Sequence, residues 1–170
     1  GHFAGGWNPE PYTLHFSAEF DRPFAATGTW EGEEIAHGSM AAEGEQVGAF
    51  VTFDTREELQ VQLKLGVSFV SVARARVNLE QEIPHWDFEA VRRDARKAWE
   101  KVLAKIRMEG GTEAQRKIFA TALYHSHFMP HDLTGEIAWW ESDEPHYEDF
   151  YCIWDTFRTL HPLLTLIQPE

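Results

Sequence analysis

The hydrophobic pattern of this chain changes its period once, near Pro84, and that change limits what the chain can fold into. In residues 12–20 and 61–69, apolar and polar side chains alternate, as in strands with one buried and one solvated face. After Pro84, apolar residues recur at spacings of three and four, which is the period of an amphipathic helix. The sequence therefore predicts an α+β fold in which antiparallel strands come first and helices follow.

The strand pattern extends to about Ile83. Shorter strands are predicted at residues 25–30 and 49–53, separated by Gly- and Glu-rich turns. The alternation slips by one position after Phe69, and a slip of this kind indicates a bulge or a strand buried on both faces. Four or more antiparallel strands predict a portion of a β-sandwich.

Capping signals set the bounds of the predicted helices. Asp87 is a suitable N-cap for a first helix of roughly 20 residues. Its basic side chains are interleaved with acidic ones, which favours a solvated face over a nucleic-acid surface. The two glycines at residues 110–111 are expected to end this helix. Thr112 and Gln115 match a capping box, which predicts that a second helix starts here and runs to about residue 127.

A long loop is predicted at residues 129–147. It contains two prolines and the adjacent pair Trp139 and Trp140. A loop of this length in a compact domain is either functional or disordered. Its aromatic content argues against disorder, so the sequence favours a functional loop.

Charge and cysteine content exclude several classes of function. The formal net charge of −13 disfavours nucleic acid and an anionic membrane surface as partners, because both require clustered Lys and Arg. No apolar run approaches the roughly 20 residues that a membrane-spanning helix needs. Cys152 is the single cysteine, which excludes an internal disulfide and a cysteine-based zinc site. We expect it to be a small buried hydrophobic residue.

Three closely spaced histidines suggest a metal site, but their spacing does not support one. His125 and His127 are two residues apart, which places them on nearly opposite sides of a helix. No His-Glu-x-x-His pattern is present to bring His131 or another residue into a zinc site. The alternatives are residues at a helix C-terminus or polar groups that line a cleft. We predict no metal site in this chain.

The candidate site with the clearest chemistry lies near the C-terminal end of the sequence. Asp155 and Arg158 are three residues apart, with Trp154 and Phe157 beside them. On a helix, residues i and i+3 share a face, so both charged groups could point at one spot. Carboxylate, guanidinium and aromatic side chains together suit a sugar ring. An ion pair that only braces the helix is an equally open interpretation of these residues.

Four segments, in order along most of the chain, resemble one enzyme family. The most specific is Trp-Asp-Thr-Phe-Arg-Thr-Leu-His-Pro-Leu at residues 154–163. Residues 66–80 are similar to a Gly-x-Ser-aromatic-x-Ser segment with a trailing Ala-Arg-x-Asn-Leu. Residues 110–113 and 119–125 resemble the start and end of a helix that leads into Thr-Ala-Leu-Tyr. Together they resemble the calcium-dependent exo-α-mannosidases of glycoside hydrolase family 92.

The resemblance implies an activity and an architecture. It implies hydrolysis of terminal α-linked mannose from glycans, assisted by Ca²⁺, with direct attack by water that inverts the anomeric centre. It also implies that the chain is an internal segment of a longer enzyme. We expect residues 1–83 to form the C-terminal part of an N-terminal β-sandwich, residues 84–111 a linker helix, and residues 112–170 the start of an (α/α) catalytic barrel.

No catalytic residue or metal ligand is assigned to this chain. Glycoside cleavage generally needs two carboxyl groups. The resemblance implies that the acid, the base and the calcium ligands lie in later segments, which include an Asn-Glu-Pro motif that is absent here. We therefore expect the 170-residue chain alone to be inactive. The carboxylates that could otherwise supply a pair are Asp132, Glu136, Glu148, Asp149 and Asp155.

The resemblance does imply substrate-binding residues in this chain. Asp155, within the matching motif, is expected to contact hydroxyls of the terminal mannose, and Arg158 to orient Asp155 or to bind the sugar. Trp154 is included in the predicted substrate site, although packing into the barrel wall is the favoured interpretation of this residue. His161 and Pro162 are expected to be structural, with Pro162 at a helix break or in a first turn.

The partners implied are a mannose-containing glycan and the remainder of the same enzyme, with no nucleic acid and no membrane span. The resemblance also implies a periplasmic or secreted location. A non-catalytic carbohydrate-binding module, with the aromatic residues as stacking platforms, is the alternative function. A structural adaptor is a second alternative, which binding to a panel of glycans would test.

Overall fold

The computed structural model describes the backbone of residues 2–5, 8–142, 144–148 and 152–169, with side chains from Tyr12 onward. It divides into two compact units. The first, here called the strand-rich unit, is residues 15–86. The second, here called the helical unit, combines residues 1–14 with residues 87–170. Antiparallel sheets precede the main helices along the chain, so the predicted α+β class is confirmed.

Two antiparallel sheets and one helix make up the strand-rich unit. Strand β3 pairs with β7 from His15 opposite Ser68 to Phe20 opposite Leu63. Strand β4 is the central strand of a three-stranded sheet, between β5 and β6. The sequence did not predict β5. The elements of this unit are β3 (His15–Phe20), β4 (Ala26–Glu31), β5 (Glu34–His37), β6 (Val47–Thr52), β7 (Leu63–Ser68) and α1 (Val72–Glu82).

Aromatic rings cover glycines in the three-stranded sheet. Trp30 lies opposite Gly48, and Phe50 lies opposite Gly28. A Cβ atom added to Gly48 would lie 2.3 Å from the Trp30 indole, and one added to Gly28 would lie 2.4 Å from the Phe50 ring. Each ring therefore occupies the space that its partner's missing side chain leaves, which is how cross-strand pairs stabilise a sheet at glycine positions.

The helix α1 corrects the sequence prediction, which continued the strand pattern to Ile83. The Ser71 side chain accepts a hydrogen bond from the Arg74 backbone N–H at 3.0 Å, which caps the helix start. Ala75 and Leu79, four residues apart, are buried against β7. The slip in alternation after Phe69 therefore marks a change from strand to helix, because the apolar spacing from this point is helical.

Packing of α1 against the sheet also reverses the predicted burial of β3 and β7. The helix covers the face that carries Gly66 and Ser68, and Ser68 is almost fully buried. The apolar side chains of the other face are exposed, with Phe16 58% exposed and Leu65 52%. The prediction of a buried apolar face and a wet polar face is therefore wrong for the described residues. The small side chains on the polar face are what allow a helix to approach the strands closely.

Lys64 ties the end of α1 to the strands. Its ammonium group lies 3.1 Å from the Glu19 carboxylate, which projects from β3. It also donates to the Ile83 carbonyl, the C-cap of α1, at 3.3 Å. The same group lies 4.4 Å from the centroid of the Trp86 ring. Because Lys64 is largely buried, these three contacts compensate for the removal of its charge from water.

The helical unit begins with a hairpin and continues with helices. Strands β1 and β2 pair antiparallel, with His2 opposite Thr13. Two short strands, β8 and β9, pair later in the chain. None of the helices in the described ranges combines the length and apolar character that a membrane crossing needs. The elements are β1 (His2–Gly5), β2 (Asn8–Thr13), α2 (Phe88–Leu103), α3 (Glu113–His125), β8 (His131–Asp132), β9 (Tyr147–Glu148), α4 (Ile153–Thr156) and α5 (Leu160–Ile167).

The first long helix starts as predicted but ends earlier. Asp87 caps α2 through a 2.9 Å hydrogen bond from the Ala90 N–H to its carboxylate. The helix ends at Leu103, so the two glycines at residues 110–111 do not cap it. They have positive φ angles of 79° and 68° and redirect the chain before α3. The basic side chains of α2 form exposed ion pairs, which agrees with the predicted solvated face.

The helix α3 starts at the predicted capping box. Thr112 accepts from the Gln115 N–H at 3.2 Å, and the Gln115 side chain accepts from the Thr112 N–H at 2.8 Å. Aromatic contacts join α2 to α3, because the rings of Trp99 and Tyr124 lie 4.4 Å apart and the Phe128 ring lies 4.7 Å from Tyr124. The helix ends at His125, close to the predicted end.

Candidate functional site

Asp155 and Trp154 lie on α4, a single helical turn that directs both side chains to the surface of the described structure. The Trp154 side chain is 81% exposed, and Asp155 is also exposed. Packing of Trp154 into a wall is therefore not seen within the described residues. Cys152, at the N-cap position of α4, is exposed, so its predicted burial is wrong.

A buried hydrogen bond joins α4 to α5. The Thr156 hydroxyl, 7% exposed with its residue, lies 2.7 Å from His161 Nε2. The same hydroxyl donates to the Cys152 carbonyl at 3.2 Å, so it accepts from His161 when Nε2 carries the ring proton. Pro162 lies in the first turn of α5, where its missing N–H costs nothing. This hydrogen bond and this position agree with the structural roles that the sequence predicted for His161 and Pro162, which stay predictions.

Asp155 and Arg158 do not share a helical face. The helix ends at Thr156, and Arg158 lies in the turn before α5. Its guanidinium carbon lies 5.2 Å from the centroid of the Phe157 ring. Within the described ranges, the two charged side chains do not form the ion pair that the sequence left open as an alternative. The Asp155 carboxylate is therefore available to a ligand.

The strands β8 and β9 close the predicted long loop. The segment between them, residues 133–146, is called the tryptophan loop below; residue 143 lies outside the described residues. His131 lies opposite Glu148, and Asp132 lies opposite Tyr147. The Leu133 N–H donates to the His146 carbonyl at 2.8 Å, which extends this stem. The described part of the loop thus leaves and rejoins a short antiparallel stem.

Asp132 and Thr134 form a polar junction at the base of the tryptophan loop. Thr134 donates to Asp132 Oδ1 twice, through its hydroxyl at 2.6 Å and its N–H at 3.0 Å. These bonds lower the pKa of Asp132, with the hydroxyl bond as the larger cause. The Thr134 hydroxyl also accepts from the His146 N–H at 3.0 Å, across the loop. Both ends of the loop are therefore held by one hydroxyl group.

The two tryptophans of the loop differ in their surroundings. Trp140 lies edge-on to His146, with ring centroids 4.9 Å apart and an interplanar angle of 79°. His146 in turn contacts Glu148 Oε1 through Nε2 at 2.9 Å. Trp139 is 80% exposed. The sequence indicated a functional loop from its length and aromatic pair, but gave no signal that distinguished the two tryptophans.

The histidines near the end of α3 hold no metal site in the described structure. His127 donates Nδ1–H to the Leu123 carbonyl at 2.8 Å, which leaves Nε2 as an acceptor. That nitrogen is buried and has no hydrogen-bond partner among the described residues. His125 is the last residue of α3, which matches the helix C-terminal position, one of the two alternatives that the sequence left open. No group of three or more His, Cys, Asp or Glu residues in the described ranges could hold a metal ion.

The carboxylates that the sequence offered as a possible catalytic pair make different contacts in the structure. Asp132 accepts from Thr134, Glu148 contacts His146, and Asp155 faces outward on α4. Asp149 lies outside the described residues. The arrangement offers polar and aromatic groups that can bind a sugar. It gives no reason to assign a general acid or base among the described residues.

Comparisons with known proteins give the same family for both parts of the chain. Residues 74–170 match the glycosyl hydrolase family 92 catalytic domain. Residues 1–68 match the glycosyl hydrolase family 92 N-terminal domain. An uncharacterized secreted glycosidase of Arthroderma benhamiae is 36% identical over 119 residues, which are 66% of this chain and 16% of that protein.

Solved structures of this family share the fold. The inverting mannosidase of family GH92 from Bacteroides thetaiotaomicron is 26% identical, with a TM-score of 0.82 over 96% of this chain and 24% of its own. The GH92 family glycosyl hydrolase ccman5 is 25% identical, with a TM-score of 0.81 over 99% of this chain and 23% of its own. The chain thus spans between about a sixth and a quarter of these relatives' length. The chain belongs to glycosyl hydrolase family 92.

Proposed function

We propose that this chain is part of a glycoside hydrolase that removes terminal α-linked mannose from glycans, with inversion at the anomeric carbon and assistance from Ca²⁺. The observation that carries the proposal is the match of residues 74–170 to the catalytic domain of the family. The similarity to a solved inverting mannosidase supports the choice of sugar and of stereochemistry. The same match favours an enzyme over a non-catalytic carbohydrate-binding module.

Within this function, α4 supplies groups that bind the terminal mannose. The Asp155 carboxylate has acceptor capacity for two ring hydroxyls, since no side-chain hydrogen bond occupies it in the described structure. Trp154, exposed beside it, offers a flat surface for the C–H face of the sugar. Arg158 lies at the other end of the turn, where it can donate to a hydroxyl while it stacks on Phe157.

The Thr156–His161 bond gives α4 a fixed position. Thr156 is the inward residue of the turn, and its bond to α5 sets the direction in which Asp155 points. A binding group is effective only when its backbone is held in the productive orientation. His161 therefore acts as a positioning residue rather than as a sugar ligand.

Ca²⁺ does not fit the described residues. Calcium takes six to eight oxygen ligands, and no cluster of acidic side chains in the described ranges is placed to supply them. We propose that the calcium ligands, like the acid and the base, lie outside these 170 residues.

The same proposal includes a domain organisation, partners and a location. We propose that residues 1–83 belong to the N-terminal domain, that residues 84–111 link it to the catalytic domain, and that residues 112–170 begin an (α/α) barrel. The partners are the glycan and the remainder of the polypeptide. The fungal relative is described as secreted, which supports a secreted or periplasmic location.

Hydrolysis by the longer protein that contains this chain tests the proposal. NMR of the first product released from an aryl α-mannoside should show β-mannose before mutarotation, as inversion requires. A chelator should abolish turnover, and added Ca²⁺ should restore it. Release of α-mannose, or cleavage of α-glucosides in preference to α-mannosides, would contradict the proposal.

A further inference from the structure

Phe157 contacts the proposed sugar ligand Arg158, but the proposed binding of the terminal mannose gives Phe157 no role of its own. The guanidinium carbon of Arg158 lies 5.2 Å from the centroid of the Phe157 ring. This distance is within the roughly 6 Å at which the face of an aromatic ring attracts a cation. The two side chains therefore form a cation–π pair at the end of α4.

The backbone of Phe157 is held by α4, whereas Arg158 lies outside the helix. The Phe157 N–H donates to the Ile153 carbonyl at 2.9 Å, which makes Phe157 the C-cap of α4. Arg158 follows in the turn before α5. An unrestrained arginine side chain loses rotamer entropy when it binds a ligand, and a contact that restrains it beforehand lowers this loss. The ring is therefore placed to restrain the guanidinium before a ligand binds.

A ring restrains a guanidinium without occupying its hydrogen-bond donors. A carboxylate in the same place would accept from the guanidinium N–H groups, often in a bidentate arrangement. The phenyl ring attracts the charge and takes up none of these strong hydrogen bonds. Among the described residues, the Arg158 side chain forms no hydrogen bond or ion pair. Its donors therefore stay available to the oxygen atoms of a ligand.

The chain itself keeps this donor close to an acceptor. Only Thr156 and Phe157 separate Arg158 from Asp155, whose carboxylate is exposed on α4. Each sugar hydroxyl can both donate and accept, so a carboxylate and a guanidinium in one short segment complement it. Such a pair is effective when both groups are held in the productive orientation. The hydrogen bond of Thr156 to His161 holds the turn that carries Asp155, and the Phe157 ring contacts Arg158.

We propose that Phe157 is a positioning residue for Arg158. Its ring holds the guanidinium at the end of α4 so that the N–H groups can donate to hydroxyls of the sugar bound there. Phe157 acts through Arg158 and does not itself bind the sugar. This inference rests on the proposed function, because the sugar is the terminal residue of the same substrate.

The test is a double-mutant cycle in the full-length enzyme with an aryl α-mannoside. Phe157→Leu removes the ring but keeps an apolar side chain, and kcat/KM should fall about two- to five-fold, mainly through KM. Phe157→Trp supplies a ring that attracts cations more strongly and should keep kcat/KM close to wild type. Once Arg158→Ala has removed the cation, Phe157→Leu should cause no further loss. Phe24→Leu, at a similarly exposed phenylalanine of the strand-rich unit, is the matched control and should leave kcat/KM unchanged.

The outcomes separate this inference from the proposed function. An unchanged kcat/KM in Phe157→Leu overturns the inference. An equal loss with and without Arg158→Ala, accompanied by a lower Tm, shows a purely structural role and also overturns it. If the full-length enzyme hydrolyses no aryl α-mannoside, the proposed function fails, and the same cycle is measured on the aryl hexoside that the enzyme hydrolyses fastest. Coupling between Phe157 and Arg158 on that substrate supports the inference, and additive effects, or no hydrolysis of any hexoside, overturn it.

Discussion

The α1–β7 junction of the strand-rich unit and the α4–α5 segment of the helical unit bury different kinds of atoms. At the junction, Ala75 and Leu79 are 0% and 2% exposed, and Gly66 removes the last side chain between helix and strand. In α4–α5, the buried contact is polar, between the Thr156 hydroxyl and His161, while Trp154 and Asp155 face outward.

We propose that the difference follows from the role of each region, support of a helix at the junction and presentation of side chains to a ligand in α4–α5. A junction that only holds a helix on a sheet is stabilised by close packing, which tolerates no added volume. A segment that presents side chains to a ligand has to leave those side chains unburied, so its backbone is held by a specific hydrogen bond instead. The first should respond to changes in shape, and the second to changes in polarity.

The largest expected effect is on activity itself. We propose that the chain presents groups that bind sugar, and we expect its acid, base and calcium ligands to lie elsewhere, so the 170-residue chain alone should not hydrolyse an aryl α-mannoside. The measurement is turnover by the purified chain beside the longer protein. Turnover by the chain alone, abolished when one of its own carboxylates is replaced, would show that α4–α5 belongs to a complete site.

Gly66→Ala should test the packing side of the comparison. The added Cβ would lie 2.2 Å from the Ala75 carbonyl oxygen and 2.7 Å from Leu79 Cβ, so α1 has to move away from β7. Overpacking of this kind costs about 1–3 kcal/mol, and a clash with a backbone atom belongs at the upper end. Denaturant unfolding measures the loss.

Gly44→Ala is the matched control for that change. Its new Cβ would meet the end of the flexible Glu31 side chain at 3.0 Å and Val47 Cγ1 at 3.1 Å, so only side-chain atoms and no backbone atoms have to move aside. The free energy of unfolding should stay within about 0.5 kcal/mol of wild type. Equal losses in the two variants would mean that the α1–β7 approach is not tight.

Asp155 tests the polar side of the comparison in the full-length enzyme. Asp155→Ala removes a charged hydrogen bond to the sugar, which costs about 1.5–3 kcal/mol, or roughly ten- to a hundred-fold in kcat/KM. Asp155→Asn keeps the shape and should lose less. The Tm should not change, since no ion pair in the described structure depends on Asp155. A lower Tm with normal kcat/KM would show that Asp155 stabilises the fold and would contradict its role in sugar binding.

The sequence predicted local features well where they depend on residues that are close together in the sequence. Asp87 and the Thr112–Gln115 capping box start α2 and α3 where expected, because a cap depends only on neighbouring residues. The strands at residues 26–31 and 47–52 also match the predicted pattern. Asp155 and Trp154 were proposed as binding residues from their motif, and the structure adds that both are exposed.

The sequence failed where a distant partner decided the outcome. The burial of β3 and β7 is set by α1, which lies against their polar face because Gly66 leaves room for Leu79, and alternation alone cannot show which face is covered. Arg158 leaves the helical face because α4 ends at Thr156. Likewise, nothing in the adjacent Trp139 and Trp140 indicates that His146 contacts only the second.

A smaller effect is expected from the hydrogen bond that holds α4. Thr156→Val keeps the side-chain volume but removes the hydroxyl, so His161 Nε2 loses its partner. The free energy of unfolding should fall by about 1–2 kcal/mol. In the full-length enzyme, kcat/KM should fall with it, because Asp155 is no longer fixed.

The control lies on the neighbouring helix. Thr165→Val removes an exposed hydroxyl that donates to the His161 carbonyl at 2.8 Å, and it should leave both stability and kcat/KM close to wild type. If the two threonine variants behave alike, the buried bond is no more important than a surface bond, and the account of how α4 is held is wrong.

The smallest expected effect concerns the response of the tryptophan loop to acid. Asp132, exposed at the base of this loop, has a pKa lowered from 3.8 by the Thr134 hydroxyl and then by the Thr134 N–H. A carboxyl group with a lowered folded pKa stabilises the folded form fully above its unfolded value, and this contribution is lost as the pH falls through the folded value. The loop should therefore keep its structure at neutral pH and loosen only below pH 3.8. NMR of the Thr134 amide from about pH 6 to pH 2 should show an inflection in this lower range.

Asp132→Asn should remove that inflection, because the amide still accepts a hydrogen bond but does not titrate. Asp94→Asn, which changes an exposed carboxylate on α2, should leave it in place. At the α1–β7 junction the carboxylate of Glu19 pairs with the Lys64 ammonium and does not contact Asp132 or Thr134 in the described structure, so amides of Ala75 and Leu79 should show no transition that Asp132→Asn removes. An inflection above pH 3.8, or one that survives in Asp132→Asn, would mean that another group controls the base of the loop. A transition at the junction at the same pH would mean that acid affects both regions alike. The difference between polar contacts in one region and apolar packing in the other would then not determine how each responds to pH.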